Sequence, residues 1–386
     1  MQNFDYINPT MIKFGRGQIT TIHEVIPKEA KVMVLYGGGS IKRTGIYDQV
    51  MSSLDGYDVV EFSGIPSNPE YEVLMDAVSI VREQEVNFLL AVGGGSVIDG
   101  TKFISAASVY DGDDAWDLLT KQEPIMEAVP FGTVLTMPAT GSEMNYAAVI
   151  TKRATSEKLL MQGVGIFPQF SVLDPTVVST IPERQLSNGL IDSFVHVLEQ
   201  YLTYPVEARL QDRFAESILN TLVDIAPKVK FSPSDYGSAS DYMWCCTNAL
   251  NGMLHNGVPQ DWGIHMIGHE ITAMYHIDHA ITLAIVAPSY YQHLIGQKEA
   301  KLAQFAERIA GVTEGTPREK AVKAIEFIKS YFLSLGVTSK LSDYVDCFDQ
   351  CAENISKTFK ERQWLGLGEK QNVTPEMVEQ IVKAAY

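Results

Sequence analysis

The stretch VNFLLAVGGGSVIDG, residues 86–100, decides the fold class, because an apolar run ends in three glycines and leads directly into a helical pattern. An apolar run of this kind is typical of a strand that is covered on both faces. Gly93, Gly94 and Gly95 then fall on a strand-to-helix turn, where the backbone can approach a ligand and the helix N-terminus attracts phosphate. The dinucleotide fingerprint G-x-G-x-x-G is not met, because Ile98 stands at its last position. A tight turn without a ligand therefore remains an alternative.

Alternation of strands and helices extends outward from this stretch. Strand-like runs such as KVMVL, YDVVEF and FGTVLTM alternate with helical patterns up to residue 182. This alternation is the signature of a mainly parallel sheet that is covered by helices on both faces. After residue 182 the strand signal fades and helical patterns follow one another. The sequence therefore predicts an α/β domain over residues 1–182, an all-helical domain over residues 183–386 and a ligand cleft between them.

A second glycine loop, YGGGSIKRTG at residues 36–45, follows an earlier strand. An NAD-specific site usually places Asp or Glu near this point, on the ribose 2′-hydroxyl. The loop has no carboxylate; Gly38 and Ser40 can approach a 2′-phosphate instead, with Lys42 or Arg43 supplying positive charge. The alternative is an exposed turn with basic residues at a helix start. The loop favours NADP over NAD.

The composition narrows the class of partner. The chain has 386 residues and a formal net charge of -17, which argues against binding to nucleic acid or to an anionic membrane. Its apolar runs are far shorter than the ~20 residues of a membrane helix. The first residues, MQNFDYINPT, lack the pattern of a secretory signal, so we expect a cytoplasmic protein. The spacings of Cys245, Cys246, Cys347 and Cys351 indicate reduced, structural thiols rather than a disulfide framework.

Four of the eight histidines lie within HMIGHEITAMYHIDH, residues 265–279. His265 and His269 are four residues apart, as are Asp192 and His196, so each pair projects from one helix face. Each pair lies opposite an apolar stripe, and one reading is that both faces meet water. The other reading is that both faces line the cleft and, with His279, supply ligands of the kind that hold Zn²⁺ or Fe²⁺.

Two hydrolase classes are poorly supported. The zincin motif H-E-x-x-H is absent, because Glu270 follows His269 but Ala273 stands three residues later. The nucleophile elbow G-x-S-x-G of Ser-His-Asp hydrolases is absent as well.

Together, these segments resemble the iron-containing alcohol dehydrogenase family, in particular its branch of bacterial NADPH-dependent butanol dehydrogenases and aldehyde reductases. The resemblance runs essentially end to end and depends on the order and spacing of the motifs. They are GGGSVIDGTKF, LTMPATGSEMN, VLDP, the Asp192 to His196 pair, and the helix from GVPQDW through His265 to DHAITLAIV. The resemblance implies a dehydroquinate synthase-like architecture, with an N-terminal dinucleotide-binding domain, a helical C-terminal domain and one divalent metal ion in the cleft.

The resemblance also implies roles for individual residues. The metal ligands of the family fall on Asp192, His196, His265 and His279. His269 matches the histidine near the nicotinamide and the substrate, and His276 matches no ligand. The residues that match positions along NADP(H) are Gly38, Ser40, Asn68, Gly94, Gly95, Ser96, Asp99, Thr136, Thr140, Ser142, Asn145 and Lys158.

The expected function is that of a metal-dependent alcohol dehydrogenase or aldehyde reductase. It transfers a hydride between NADP(H) and a small primary alcohol or aldehyde, such as butanol or butanal, and His269 is a candidate for relaying a proton. The family suggests a homodimer. The ligand types do not distinguish Fe²⁺ from Zn²⁺.

Two alternatives remain open. A lyase resembling dehydroquinate synthase shares the architecture but needs a cationic pocket, and the segments GLIDSFVH and GIHMIGHEITAM contain no Lys or Arg. A non-catalytic metal-binding protein has no need of two glycine loops at strand ends.

Overall fold

The computed structural model describes residues 1–121, 125–155 and 157–386, and these form two compact units. The first, called here the sheet unit, comprises Ile7–Ile181 and Ser232–Asn251. The second, the helical unit, comprises Met1–Tyr6, Pro182–Phe231 and Gly252–Tyr386. Whether residues 1–182 and 183–386 fold as separate domains stays a prediction.

Six strands of the sheet unit form one sheet in the order β1-β8-β5-β4-β2-β3, and every neighbouring pair is parallel. The other two strands form an antiparallel hairpin. The strands are β1 (Met11–Phe14), β2 (Lys31–Leu35), β3 (Asp58–Phe62), β4 (Phe88–Gly94), β5 (Phe131–Met137), β6 (Ala147–Lys152), β7 (Glu157–Gln162) and β8 (Phe170–Leu173). The predicted mainly parallel sheet is confirmed.

Helices connect the strands of the sheet unit and make up nearly all the regular structure of the helical unit. In chain order they are α1 (Ser40–Arg43), α2 (Ile46–Ser53), α3 (Tyr71–Glu83), α4 (Gly95–Val109), α5 (Asp117–Thr120), α6 (Glu183–Tyr201), α7 (Arg209–Phe231), α8 (Tyr236–Ala249), α9 (Gly263–Tyr275), α10 (His279–His293), α11 (Ile295–Arg308), α12 (Pro317–Ser334), α13 (Cys351–Glu361) and α14 (Pro375–Lys383). Among the described residues, no helix has both the length and the apolar character required to cross a membrane.

The central strands form the core of the sheet unit. The apolar side chains of β2, β4 and β5 are almost completely buried, as expected for parallel strands that are covered on both faces. The chain passes from β2 to β3 on one side and then returns to place β4 on the other side of β2. This reversal creates a topological switch point at the carboxyl ends of β2 and β4, where open α/β sheets bind ligands.

The longest buried stretch of the helical unit is α6. Every residue from Leu186 to Tyr201 is buried, so this helix is enclosed on all sides. Its polar residues therefore do not face water, and each needs a partner inside the protein.

Candidate functional site

Three histidine nitrogens surround one carboxylate oxygen in the helical unit. Oδ1 of Asp192 lies 3.7 Å from Nε2 of His196, 3.8 Å from Nε2 of His265 and 3.9 Å from Nε2 of His279. The ligand atoms of Asp192, His265 and His279 all lie within 4.8 Å of one another. The rings of His196 and His265 stack with centroids 4.6 Å apart. The structure therefore brings together the four residues that the resemblance implied as metal ligands.

Three helices supply these side chains. Asp192 and His196 lie one turn apart on α6, His265 lies in the first turn of α9, and His279 is the first residue of α10. The start of α10 is tied back to α6, because Asn188 donates a hydrogen bond of 2.7 Å to Asp278, the residue directly before His279.

Arg184 strengthens the same connection. Its Nε and Nη2 donate to Oδ2 of Asp278 at 2.8 Å and 2.5 Å. Because Asp278 directly precedes His279, this ion pair fixes where α10 begins relative to α6.

The arrangement fits a divalent metal ion. Oδ1 of Asp192 and Nε2 of His265 are buried and have no hydrogen-bond partner among the described residues, which is costly unless another group satisfies them. A tetrahedral site with bonds of ~2.1 Å has ligand atoms about 3.4 Å apart, close to the distances from Asp192 Oδ1. One carboxylate and three imidazoles are a ligand set that suits Zn²⁺ or Fe²⁺.

The burial of these residues excludes the reading in which both polar faces meet water. Asp192, His196 and His265 are all buried, and only His279 is partly exposed. On α6, the face opposite the apolar stripe is therefore buried as well.

Burial and neighbouring charges set the pKa values at the site. Burial opposes ionisation of Asp192, but the nearby imidazoles outweigh it and hold the pKa of the carboxyl well below its usual range. Burial lowers the pKa of His196 to about 4, so this ring is neutral at pH 7, as a metal ligand must be. Burial also acts against a charged His265, but the Glu199 and Asp192 carboxylates raise the pKa of His265 to about 9.

Two residues that contact the proposed ligands are not predicted from the sequence. Glu199 is fully buried and accepts a hydrogen bond from Nδ1 of His265. Its position seven residues after Asp192 on the same helix face was the available signal. The ring of Trp262 lies 5.5 Å from that of His265 and 6.2 Å from that of His196, and its backbone is left-handed, with φ of 64°. No feature of the sequence indicated that position.

The other two histidines of residues 265–279, His269 and His276, lie in different surroundings. His269 is half-buried on α9, with its ring 4.8 Å from that of His279 and 6.3 Å from that of His265. His276 is exposed beyond the end of α9 and has left-handed backbone, with φ of 56°. His269 is therefore beside the proposed ligands, and its catalytic role stays a prediction.

The residues implied for the cofactor lie in the sheet unit. They stand at the carboxyl ends of β4 and β5, on the loops and helices that follow β2, β3, β4 and β5, or on the β6–β7 hairpin and its flanks. Gly38 and Ser40 follow β2, while Gly94, Gly95 and Ser96 stand where β4 passes into α4. These two loops flank the topological switch point.

Gly95 is required by the close approach of another segment. A Cβ atom at this position would lie 2.4 Å from Oγ1 of Thr140 and 2.6 Å from its Cγ2. Thr140 itself belongs to the loop that follows β5. The glycine therefore allows the loop after β4 and the loop after β5 to pack against each other.

The polar residues implied for the cofactor form two linked groups. In the first, the backbone N–H of Asn68 donates to Oγ of Ser96 at 3.3 Å, and Nζ of Lys158 donates to Oδ1 of Asn68 at 2.9 Å. In the second, Oγ of Ser142 donates to Oδ1 of Asp99 at 2.5 Å. Thr136 lies near the carboxyl end of β5 and is half-buried.

Lys102 joins the second group and was also missed in the sequence. It is fully buried on α4, and its Nζ donates to Ser142 at 2.9 Å, Asn145 at 2.8 Å and the carbonyl of Ala147 at 2.8 Å. Burial lowers the pKa of Lys102 to about 8. Lys102 thus fixes two side chains that the resemblance implied for cofactor binding.

Lys42 is already engaged beside the loop after β2. Its Nζ lies 3.7 Å from Oε2 of Glu61 and 4.4 Å from the ring centroid of Tyr47. Glu61 also accepts hydrogen bonds from Tyr47 at 2.7 Å and from Tyr36 at 2.8 Å. Of the two basic residues considered for a 2′-phosphate, Arg43 is therefore the better candidate.

Comparison with known proteins gives consistent matches over the whole chain. Residues 9–175 match the family described as iron-containing alcohol dehydrogenase, and residues 187–386 match the C-terminal part of the Fe-containing alcohol dehydrogenase family. The chain is 48% identical over 387 residues to the NADPH-dependent aldehyde reductase YqhD of Escherichia coli (strain K12), with 100% of both chains covered. It is 43% identical to the probable NADH-dependent butanol dehydrogenase 1 of Bacillus subtilis (strain 168), covering 92% of this chain and 93% of the other.

Solved structures show the same similarity. The substrate- and cofactor-free form of the aldehyde reductase YqhD from E. coli superimposes with a TM-score of 0.94 and 46% identity, with 100% of both chains covered. The NADH-dependent butanol dehydrogenase A from Thermotoga maritima gives a TM-score of 0.94 at 35% identity, covering 100% of this chain and 99% of the other.

Proposed function

The chain belongs to the iron-containing alcohol dehydrogenase family, and we propose that it is an aldehyde reductase that uses NADPH and one divalent metal ion to reduce small aldehydes to primary alcohols. The observation that carries the proposal is the cluster of three histidine nitrogens within 3.9 Å of Asp192 Oδ1. Butanal and butanol are the proposed type of substrate and product, because relatives are named for butanol. The reverse oxidation of alcohols belongs to the same function.

The metal ion is assigned to Asp192, His196, His265 and His279. Cofactor binding is assigned to residues 1–182 and metal binding to residues 183–386. Three neutral imidazoles and one carboxylate leave a net positive charge on a divalent ion, which suits an electrophilic role. When bound, the metal acts as a Lewis acid on the substrate oxygen, and NADP(H) supplies or accepts the hydride.

The residues of the chain hold the reactants and move the proton. The free amides at the start of α4 and the loop glycines Gly94 and Gly95 bind the pyrophosphate. Burial of the metal-binding residues keeps water away from them, which strengthens their interaction with charge. A ring nitrogen of His269 exchanges a proton with the alcohol oxygen, since histidine titrates near working pH and this ring lies 4.8 Å from that of His279.

Neither alternative function is favoured. The matched relatives are named as reductases or dehydrogenases, which does not favour the lyase. The two glycine loops and the buried polar groups beside them have a clear use in an oxidoreductase but none in a protein that only stores metal.

A substrate panel tests the proposed function. The protein is stripped of metal, reconstituted separately with Fe²⁺ or Zn²⁺, and assayed with short aldehydes and primary alcohols with each cofactor. We expect metal-dependent oxidation of NADPH with butanal and similar aldehydes. Full activity in the metal-free protein, or no reaction with any aldehyde in either metal form, contradicts the proposal.

Introducing a carboxylate beside the predicted 2′-phosphate tests the cofactor preference. We expect Ser40→Asp to lower kcat/KM for NADPH at least about tenfold and to affect NADH much less, because a like-charge contact costs a few kcal/mol. Ser52→Asp is the matched control: it places the same charge on an exposed part of α2. Steady-state kinetics with both cofactors give the ratio. An unchanged ratio in Ser40→Asp, or a preference of the parent protein for NADH, removes Ser40 from phosphate selection.

Homodimer formation and a cytoplasmic location are further parts of the proposal. The edge strand β1 pairs with β8 on one side, and its other edge carries no strand in the part of the chain that is described. Met11 and Phe14 on this strand are exposed, and the ring of Trp244 lies 5.9 Å from that of Phe14, so a second copy can cover an apolar edge. The cysteines at positions 245, 246, 347 and 351 form no disulfide among the described residues, which suits a reducing compartment.

A further inference from the structure

Glu199 occupies a central position in the helical unit. It lies three residues after His196 on α6, so it shares the polar face of that helix. Its side chain is completely buried. Oε1 accepts the backbone N–H of Ile264 at 2.7 Å, and Oε2 accepts a hydrogen bond from Nδ1 of His265. Both carboxylate oxygens are therefore used by the start of α9.

This pairing decides which ring nitrogen of His265 is free. An ionised carboxylate can only accept hydrogen bonds, so Nδ1 of His265 must carry a proton. Nε2 is then the ring nitrogen that offers its lone pair to a metal ion once it has given up its own proton, and this is the atom that lies 3.8 Å from Oδ1 of Asp192. A second hydrogen bond, from the backbone N–H of Asp261 to the carbonyl of Glu199 at 3.0 Å, ties the same segment to α6.

We propose that Glu199 is a positioning residue, which fixes the tautomer and ring orientation of His265 and thereby raises the affinity of the protein for its metal ion. The inference rests on the assignment of His265 as a metal ligand in the proposed function. His196 offers a contrast, because its Nδ1 is buried without a hydrogen-bond partner among the described residues. Carboxylates that orient metal-binding histidines in this way typically contribute 10–100-fold to metal affinity or activity.

Glu199→Gln tests the role of the carboxylate with almost no change in shape. The glutamine has one acceptor oxygen, and Ile264 N–H and His265 Nδ1–H both require an acceptor. If the oxygen serves Ile264, the amide NH₂ faces Nδ1 of His265 and favours the tautomer with the proton on Nε2, which blocks metal binding. If the amide is reversed, two donors meet at Ile264. Either arrangement weakens the site.

The control is Glu216→Gln in the same unit. Glu216 is also buried, and its Oε1 accepts hydrogen bonds from Tyr201 at 2.8 Å and Arg308 at 2.8 Å, but it contacts no proposed metal ligand. Glu216→Gln therefore also removes the charge of a buried carboxylate. It therefore separates a general effect on stability from an effect on the metal site.

The readouts are the dissociation constant for Zn²⁺, measured by competition with a chelating dye, and the visible absorption of the Co²⁺-loaded protein. We expect Glu199→Gln to weaken Zn²⁺ binding about 10–100-fold and to change the Co²⁺ spectrum, and Glu216→Gln to leave both unchanged. Glu199→Gln that binds Zn²⁺ as tightly as the parent overturns the proposal. If that variant does not fold, Glu199→Asp replaces it, and parent-like affinity in the shortened carboxylate overturns the proposal equally.

Failure of the proposed function gives a different result. A parent protein that binds no Zn²⁺, or His265→Ala that binds it normally, contradicts the assignment of the metal ligands and with it the role of Glu199. Normal binding in Glu199→Gln alone, with His265→Ala impaired, contradicts only the role of Glu199.

Discussion

Replacing His265 by alanine is expected to remove the bound metal ion and to lower kcat/KM for NADPH-dependent aldehyde reduction about a thousandfold or more. The loss of Lewis-acid stabilisation is worth several kcal/mol, and each 1.4 kcal/mol corresponds to about a tenfold change in rate. His265 supplies one of the nitrogens around Asp192, and its other nitrogen is hydrogen-bonded to Glu199, so a water molecule cannot replace both contacts. Metal content by atomic absorption and steady-state kinetics on the same preparation measure the effect.

The matched control removes a histidine of the same cluster that lies outside the site. His276 is exposed and has left-handed backbone, a conformation that asparagine tolerates, so His276→Asn is expected to keep both metal and activity. Metal content and activity that survive together in His265→Ala would show that the ion, if bound, is held elsewhere. Equal losses in the two variants would point to a general effect on folding.

Replacing Lys298 by methionine is expected to reduce the free energy of unfolding of the metal-free protein by about 3–5 kcal/mol. Nζ of this fully buried lysine lies 2.6 Å from Oδ2 of Asp261 and 2.9 Å from Oε2 of Glu369, and both carboxylates are themselves nearly buried. The substitution leaves two buried carboxyl groups inside the helical unit without a cation. The midpoint of urea unfolding, followed by circular dichroism, measures the loss.

Lys298→Met is also expected to weaken metal binding. Oδ1 of Asp261 accepts the backbone N–H of Gly263 at 3.0 Å and a hydrogen bond from Tyr290 at 2.5 Å, so Asp261 holds the start of the helix that carries His265. Lys301→Met is the control, because its partner Asp212 is partly exposed and water can replace the lysine. A stability of Lys298→Met within about 1 kcal/mol of the parent would contradict this role; a variant recovered only as insoluble protein, beside a soluble Lys301→Met, agrees with it.

Part of the candidate metal site is predictable from the sequence, because helix periodicity depends only on residues that are close in the chain. Asp192 and His196 are one turn apart, and so the pair was visible from spacing alone. Their burial was not visible, because α6 is enclosed on every side and the rule that polar faces meet water fails for such a helix. That His279 closes the site with Asp192 came from the resemblance, since the two residues are far apart in the chain and meet only through the packing of α10 against α6.

The sheet unit shows the same limit. The glycine loops after β2 and β4 were predicted from the residues themselves, but the switch point depends on strand order, which the sequence does not state. Lys102 stands in the pattern GTKFISAAS, where a lysine would be assigned to a solvated helix face. The sequence also does not predict that Ser232–Asn251 belongs to the sheet unit, because α8 has a helical pattern like those of the helices before and after it.

The position of the metal ion is the most direct test of the site. Anomalous diffraction from crystals of the Zn²⁺-loaded protein, collected on both sides of the zinc edge, locates the ion independently of activity. We expect one ion per chain, bound at about 2.0–2.2 Å by Asp192, His196, His265 and His279. An ion bound by other residues, or Zn²⁺-loaded crystals without an anomalous peak at these four side chains, would contradict the assignment.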